Sequence, residues 1–565
     1  WTYSAGGESA FLAFDPNDPT YVMGGSYLGT IEVLNTKVAS GTNIMAAPIQ
    51  YLGRDASDMK YRFNWNAPII WSKHEPGTFY HGSQLLLRTR DMGVTWEEAS
   101  PDLTRNEKAK QGKMGGPYTN EAVGAENYGT LAYVIESPSE KGVIWTGSDD
   151  GYVQVTRDNG KTWSNVTPKG LAECLVNSIE VSPHDPATAY IATTRYKFND
   201  LTPGLYKTTD YGKTWTNISK GIPYGAYTRV IREDTSRKGL LYAGTETGMY
   251  ISYNGGTSWS QFQLNLPVTP ITDLMLKGDD LVVATMGRSF WILDDLGVVR
   301  QYKEGTTSFT FYKPDDAMHG SWRSPLTGNS SEFDGTNPLY GVNPANGVVM
   351  YYNLPKLPDS VHLTLEIRDG SGKVVRTLTS KKDESYQRYY GAPPADPTLP
   401  KAKGINRFVW DTRYPSITGA PTAYIEGSYR GHKAIPGNYT ATLKYPGVAE
   451  QKVEFKILNN PMYQNTADQF KEWNDFMTTM EQSVSNMHQK VNQIKSMRDQ
   501  LKDVLKEMSD EAKFVSLKKE GEELVKKMTA WDEDMIQRRS KAYDDVENFP
   551  NKFTANYLFL INHAD

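Results

Sequence analysis

The stretch VTRDNGKTWSNVTP, residues 155–168, decides how the rest of the chain is read. Its Gly160-Lys161-Thr162 has the look of the end of a phosphate-binding loop. Such a loop needs Gly-x-x-x-x-Gly-Lys-Ser/Thr, so that successive backbone N–H groups wrap the phosphates. The place of the first glycine is taken by Val155, and Trp163 follows where a helix would have to begin. The stretch also recurs. Thr89-Arg-Asp91-Met-Gly93-Val-Thr95-Trp96 is one copy, residues 156–163 a second, and Thr208-Thr-Asp210-Tyr-Gly212-Lys-Thr214-Trp215 a third. Ser252-Tyr-Asn254-Gly-Gly256-Thr-Ser258-Trp259 is a fourth, with Asn for Asp. Ser/Thr-x-Asp-x-Gly-x-Thr/Ser-Trp describes a hairpin turn. The carboxylate accepts hydrogen bonds from its own turn, the glycine takes a positive φ, and the tryptophan packs over the result. Asp91, Trp96, Asp158, Trp163, Asp210, Trp215, Asn254 and Trp259 are therefore expected to be structural.

Extending outward from the turns exposes a larger unit. NSIEVSPHDPATAYIATT (177–194) followed by GLYKTTDYGKTWTNI (204–218) reads as strand, Pro-Asp turn, strand, loop, strand, box turn, strand. The same grammar appears in 9–35, 67–91, 131–158 and 228–254, and in a degenerate copy at 271–295. Repeated four-stranded units of this kind build a β-propeller. The expected fold is mainly β: a propeller of the seven-bladed type with six recognisable blades over 1–318. SFTFYKP (308–314), with sequence preceding Trp1, is expected to close a seventh. The chain opens on Trp1 in repeat material, so it is expected to be part of a longer protein.

The box turn joins the third and fourth strands and shares a face with the turns joining the first and second. The opposite face carries the loops between second and third strands and the entries to the innermost strands, and ligands are expected there. Polar residues sent to that face are Glu8, Tyr27, Arg62, Asn64, Glu126, Asn127, Asp149, Asp150, Asn177, Arg195, Arg229, Glu246, Asp273 and Arg288. Such a set suits recognition of a glycan or peptide by hydrogen bonding, or a wet channel whose groups bind one another. A glycosidase needs two carboxylates roughly 5–10 Å apart, one with a raised pKa. Glu8, Glu126, Asp149 and Asp150 are the candidate carboxylates.

Composition narrows the classes. The 61 basic and 66 acidic residues leave a net charge of −5, which points to no nucleic-acid partner. No apolar run approaches the length of a membrane span. One cysteine, Cys174, excludes an intrachain disulfide and a cysteine-based zinc site, and the eight His show no ligand spacing. No metal and no cofactor are expected.

YRFNWNAPIIWSKHEPGTFYHGSQLLLRTRDMGVTWEEASPDLTRN (61–106), GTETGMYISYNGGTSWSQFQLNLP (244–267) and VVATMGRSFWILDD (282–295) resemble the bacterial BNR/Asp-box propeller proteins related to the sortilin/VPS10 propeller and commonly labelled glycosyl hydrolases. They are also similar to the propellers of xyloglucanase-type glycosidases. The resemblance covers nearly the whole chain, which looks like the C-terminal half of such a protein. It implies an exported protein, at the bacterial cell surface, outer-membrane-associated or periplasmic. It does not assign an activity: the xyloglucanase-type enzymes take one carboxylate from each of two propellers, and no catalytic Asp of theirs aligns to a particular position here. The sialidase arginine triad and the cysteine-rich module of eukaryotic sortilins have no counterpart in the chain.

A Gly/Ser/Asn/Pro-rich stretch at 319–345 reads as a linker, and 346–460 as alternating strands with Gly-rich turns. The latter resemble an immunoglobulin-like sandwich, with Trp410 and Tyr439 in its core. From 461 to 565 the period is helical. Thr466-Ala-Asp-Gln469 is a capping box. Trp473, Met477, Met480, Val484, Met487, Val491 and Ile494 then form a heptad seam, continued by Leu501, Leu505 and Met508. A helix over 466–508 would run roughly 65 Å. A second, over 510–545, is expected to bring Phe514, Leu517, Leu524, Met528, Trp531 and Met535 to the same seam as an antiparallel hairpin. That arm is expected to serve assembly or to dock a protein partner. Two functions follow: an exported propeller binding glycan or protein on its channel face, or a glycoside hydrolase with a carboxylate pair at the channel mouth.

Overall fold

The computed structural model describes residues 4–8, 11–51, 53–112, 127–320, 344–509 and 511–564. The described chain divides into two compact units, 1–296 and 297–565.

The first unit is a β-propeller. Its described residues form five four-stranded antiparallel meanders and a sixth of three strands, in strict chain order within each sheet. The first strands are Leu12–Asp15, Ile69–Trp71, Leu131–Glu136, Leu175–Val181, Thr228–Glu233 and Ile271–Lys277. Side chains on four of them meet at Arg232. Its guanidinium donates to Tyr133 Oη at 2.9 Å, Ser178 Oγ at 2.7 Å, Asp273 Oδ1 at 2.7 Å and the Leu274 carbonyl at 2.8 Å. The first strands of the third to sixth sheets therefore converge on one axis, with Arg232 as their common tie. Phe11, before the first sheet, sets its ring edge-on to Tyr133, centroids 6.0 Å apart.

The four box turns behave alike. Thr89, Thr156, Thr208 and Ser252 each accept a hydrogen bond from the box glycine N–H, at 2.8, 3.0, 2.9 and 2.9 Å. The Asp or Asn oxygen takes the N–H of the residue four positions after its own: Thr95, Thr162, Thr214 and Ser258. Two successive residues are left-handed, the glycine and its predecessor (Met92, Asn159, Tyr211 or Gly255). The tryptophan reaches beyond its own sheet. Trp96, Trp163, Trp215 and Trp259 donate Nε1–H to the carbonyls of Ile44, Ala99, Val166 and Ile218, which follow the fourth strand of the preceding sheet. Each box thus fastens one blade to the blade before it.

Glycine in the second strand lets the next blade approach. A Cβ on Gly147 would lie 2.5 Å from Val176, and one on Gly244 would lie 2.7 Å from Ile271. Both partners stand on the first strand of the following sheet. The sixth sheet has no box and leaves Met275, Phe290 and Ile292 exposed.

In the second unit, two sheets face one another across a single core that contains Phe311, Tyr352, Phe408, Trp410, Tyr439 and Phe455. One sheet orders Thr310–Phe311, Val348–Leu354 and Gly404–Trp410. The other has five strands, with Ala317–Met318 running parallel to Gln451–Leu458 at its edge. Residues 308–314 therefore do not close a seventh blade. Phe311 faces Tyr352 in the sandwich ladder and is buried in its core, so that strand belongs to the second unit. The propeller unit ends at 296 rather than 318, and the sandwich begins well before 346. Most of the expected linker, 321–343, lies outside the described residues.

A long helix, Ala467–Glu507, opens with the expected capping box, Gln469 N–H on Thr466 Oγ1. A second helix spans Val515–Met535 and a C-terminal one Phe553–Ala564. The heptad seam is buried at Met477, Val484 and Val491, but against a different partner from the one expected. It packs on Ile417, Ala420, Ile425 and Tyr429 from the loop after the sandwich strand, and on Leu558 and Ile561 of the C-terminal helix. The loop is bound by polar contacts too. His432 lies 2.9 Å from Glu481 through Nδ1 and 3.1 Å from Asn474 through Nε2, its ring stacked on Tyr414. The second helix meets the long one at Arg498–Asp532 (3.0 Å) and where Gly521 faces Leu505, and of the side chains expected at the seam its Met535 packs against the seam cluster. Leu517, Leu524 and Trp531 stay exposed and do not enter the seam.

Candidate functional site

The second-to-third-strand loops and the sheet-to-sheet connections gather three groups of polar and aromatic side chains on one face of the propeller.

The first lies in the fourth and fifth blades. Arg229 donates Nε–H to Glu246 at 2.7 Å and its other arm to Tyr227 Oη at 3.2 Å, with the guanidinium over the Tyr227 ring. Tyr196 stacks on Tyr227, ring centroids 5.6 Å apart and 21° from coplanar. Tyr196 is 42% exposed, so this member of the stack is partly open to solvent. Arg195, one residue before it, is held by Asp200 at 2.9 Å and by the Glu173 carbonyl.

A second group surrounds Asp149 and Asp150 in the loop of the third blade. Asp149 accepts from Thr130 N–H at 2.8 Å, Thr130 Oγ1–H at 3.1 Å and the Asn64 amide at 3.4 Å, all neutral donors. Burial raises its pKa, and the neighbouring Asp150 charge raises it further, against the pull of the Thr130 hydrogen bonds. Asp150 is fully buried and accepts from Arg105 N–H at 2.8 Å and from Ser148 Oγ–H, so it is a structural carboxylate. Nearby, Glu173 pairs with Lys110 at 2.9 Å and accepts from Tyr128. The third group is Tyr27 and Trp65, rings 5.9 Å apart.

The other expected residues separate from these. Arg62 is buried, bound to Asp102 at 2.8 Å and to the Gly129 carbonyl, and holds two connections together. Asn127 is buried and donates to the Phe63 carbonyl, and Asn177 donates to the Thr228 carbonyl. Asp273 belongs to the axial cluster with Arg232 and Glu180, whose carboxyl burial pushes up to about 7 while Arg232 pulls it down. Arg288 is exposed and donates to the adjacent Gly287 carbonyl. Glu8 is exposed and joins none of the groups. Glu126 lies outside the described residues. Sequence reasoning missed Tyr196, Tyr227, Trp65 and the axial Arg232. The first two flank Arg195 and Arg229, and an aromatic at each arginine was the legible signal.

Of the carboxylates, Glu246, Glu173 and Asp273 are each paired with a cation, and Asp150 is taken up by Ser148 Oγ–H and Arg105 N–H. Asp149 combines neutral donors, a raised pKa and partial exposure.

No protein-family profile matches the chain. Over 314 residues it is 23% identical to an oligoxyloglucan-reducing end-specific xyloglucanase of Emericella nidulans, covering 48% of this chain. The chain spans only 37% of that relative and 38% of a similar xyloglucanase of Neosartorya fischeri. Among solved structures it is similar to the GH74 xyloglucanase of Xanthomonas campestris, at 15% identity and TM-score 0.37, covering 78% of this chain and 72% of that one. It is also similar to PorZ, a surface component of the type-IX secretion system of Porphyromonas gingivalis, at 14% identity and TM-score 0.35, covering 79% and 59%. Among the described residues no helix is long and apolar enough to cross a membrane.

Proposed function

We propose that the protein is an exported propeller that binds a glycan on the loop face of its first unit, with Tyr196 as platform and Arg229–Glu246 as the polar clamp. The observation that carries this reading is the open Tyr196 ring stacked on Tyr227 beside that ion pair. A pyranose offers an apolar C–H face and a rim of hydroxyls. The ring takes the first, while an acceptor and a forked donor held together take vicinal hydroxyls. Tyr27 and Trp65 offer a second ring pair on the same class of loop, which suits an oligosaccharide over a monosaccharide. The sandwich, of immunoglobulin-like type, acts as an accessory module. The limited likeness to xyloglucanases makes xyloglucan oligosaccharides the first ligands to try.

The test is retention on immobilised polysaccharides and a glycan array. Tyr196→Ala and Arg229→Ala should each weaken binding roughly tenfold or more. Absence of any glycan signal, or equal binding by wild type and both variants, would sink the reading. A second reading, hydrolysis, is favoured by Asp149, because a carboxyl whose pKa is raised by burial is what a general acid requires. Release of reducing ends from xyloglucan, abolished in Asp149→Asn, would establish it.

A further inference from the structure

The long helix and the second helix run antiparallel and touch at Arg498–Asp532 and at Leu505–Gly521. Residues one position before these contacts are turned by about 100° from the contact line. In an antiparallel pair, that rotation brings both helices' side chains to the same side. Met497 and Val504 on the long helix and Trp531 and Glu520 on the second helix are those residues, and from Trp531 the row continues at heptad intervals through Leu524 and Leu517. All five apolar residues are exposed, from 40% for Trp531 to 58% for Val504. Val504 stands level with Leu524, and Met497 with Trp531. The hairpin therefore carries a row of exposed apolar side chains on a side shared by both helices, and the heptad spacing is that of a helix-to-helix contact.

The row on the second helix is symmetric about Leu524, with Leu517 seven residues before it and Trp531 seven after. Turn a second copy by a two-fold axis at Leu524, and Leu524 meets Leu524 while Leu517 meets Trp531 in both directions. Val504, at the same level, meets its own counterpart. The charges follow the same symmetry. Glu520 and Lys527, both exposed, sit four residues before and three after Leu524 along the outer flank of the row. The two-fold sets each Glu520 against the other copy's Lys527. Apolar register and charge register agree on one axis.

We propose that this face is the surface through which two copies of the chain associate, second helix on second helix in antiparallel register centred on Leu524. This goes beyond the glycan reading and is independent of it. The occupant is a second copy because a self-complementary pattern, like residue against like at the centre and opposite charges on either side, is what an isologous contact demands.

The experiment is sedimentation equilibrium of the full chain over a concentration series. Wild type should show a monomer–dimer equilibrium. Leu524→Glu places two carboxylates against each other on the axis and should cost roughly 30-fold or more in dimer affinity. Glu520→Lys and Lys527→Glu should each weaken the dimer, and the double exchange should restore it. All three lie on an exposed surface, so circular dichroism, and melting temperature at concentrations where the chain is monomeric, should stay unchanged. Register is read by cross-linking, with the buried Cys174 as silent background. Leu524→Cys should form a disulfide-linked dimer on oxidation, whereas Leu517→Cys should not. A chain that remains monomeric at every concentration overturns the proposal. So does a dimer unaffected by Leu524→Glu, or one cross-linked equally by both cysteines.

Discussion

Asp158 illustrates how much one side chain can organise. Its two oxygens hold Thr156 Oγ1–H at 2.8 Å, Thr162 N–H at 2.8 Å and Thr162 Oγ1–H at 2.6 Å. Those bonds favour the carboxylate and bring its pKa from 3.8 down to about 2. A depressed carboxyl stabilises the fold above its unfolded pKa, and that contribution disappears as the pH falls through the folded one. Asp158→Asn should therefore melt a few degrees below wild type at neutral pH, and the gap should close as the pH is lowered towards 2. Melting temperature against pH measures it directly. Asp149 has the opposite sign. Its pKa is raised, so folding loses stability as the pH climbs above the ordinary carboxyl value. Asp149→Asn should gain on wild type steadily from acid through neutral pH in urea titrations. A gap that does not move with pH would mean that the carboxyl titrates at the same pH in the folded and the unfolded chain.

At the scale of elements, the blades were legible because one hairpin motif recurs and fixes where third and fourth strands meet. The partner of each box tryptophan was not legible. Ile44, Ala99, Val166 and Ile218 are ordinary residues after a strand, recognisable only once the sheets are set side by side. The helical seam was half read. Its heptad positions Met477, Val484 and Val491 are buried as the period requires, yet the surface that covers them includes the loop 417–429, which has no period of its own. The site was read in the same uneven way. Arg229 pairs with Glu246 and Asp149 takes neutral donors, whereas Arg62 and Asn127 are spent on holding connections together. Sequence position does not distinguish a polar group facing solvent from one facing backbone. The glycines of the second strands belong to this scale as well. Gly244→Val pushes a side chain into Val230 and Ile271, 2.6 and 2.7 Å from where its Cβ would stand. It should cost about 1–3 kcal/mol in urea unfolding.

At the scale of the whole molecule, each unit carries its own core, and within the second unit the helices are tied to the loop that leaves the sandwich. His432 and Glu481 make that tie where both side chains are almost fully buried. Glu481→Ala leaves the His432 N–H and ring nitrogen without their acceptor and should cost roughly 2–3 kcal/mol. Chemical denaturation followed by near-ultraviolet circular dichroism would record it, through Trp473 and Tyr414 beside the histidine. The propeller has another long-range property, which comes from the direction of its tryptophan fastenings. Every one of the four reaches backward along the chain, so each of those blades depends on the presence of its predecessor. Such a structure is an ordered stack with nearest-neighbour coupling. During synthesis, each of these blades finds its anchor already made when it emerges. The sixth sheet, which follows the last box and has no tryptophan reaching back to its predecessor, is where loosening of the stack should begin.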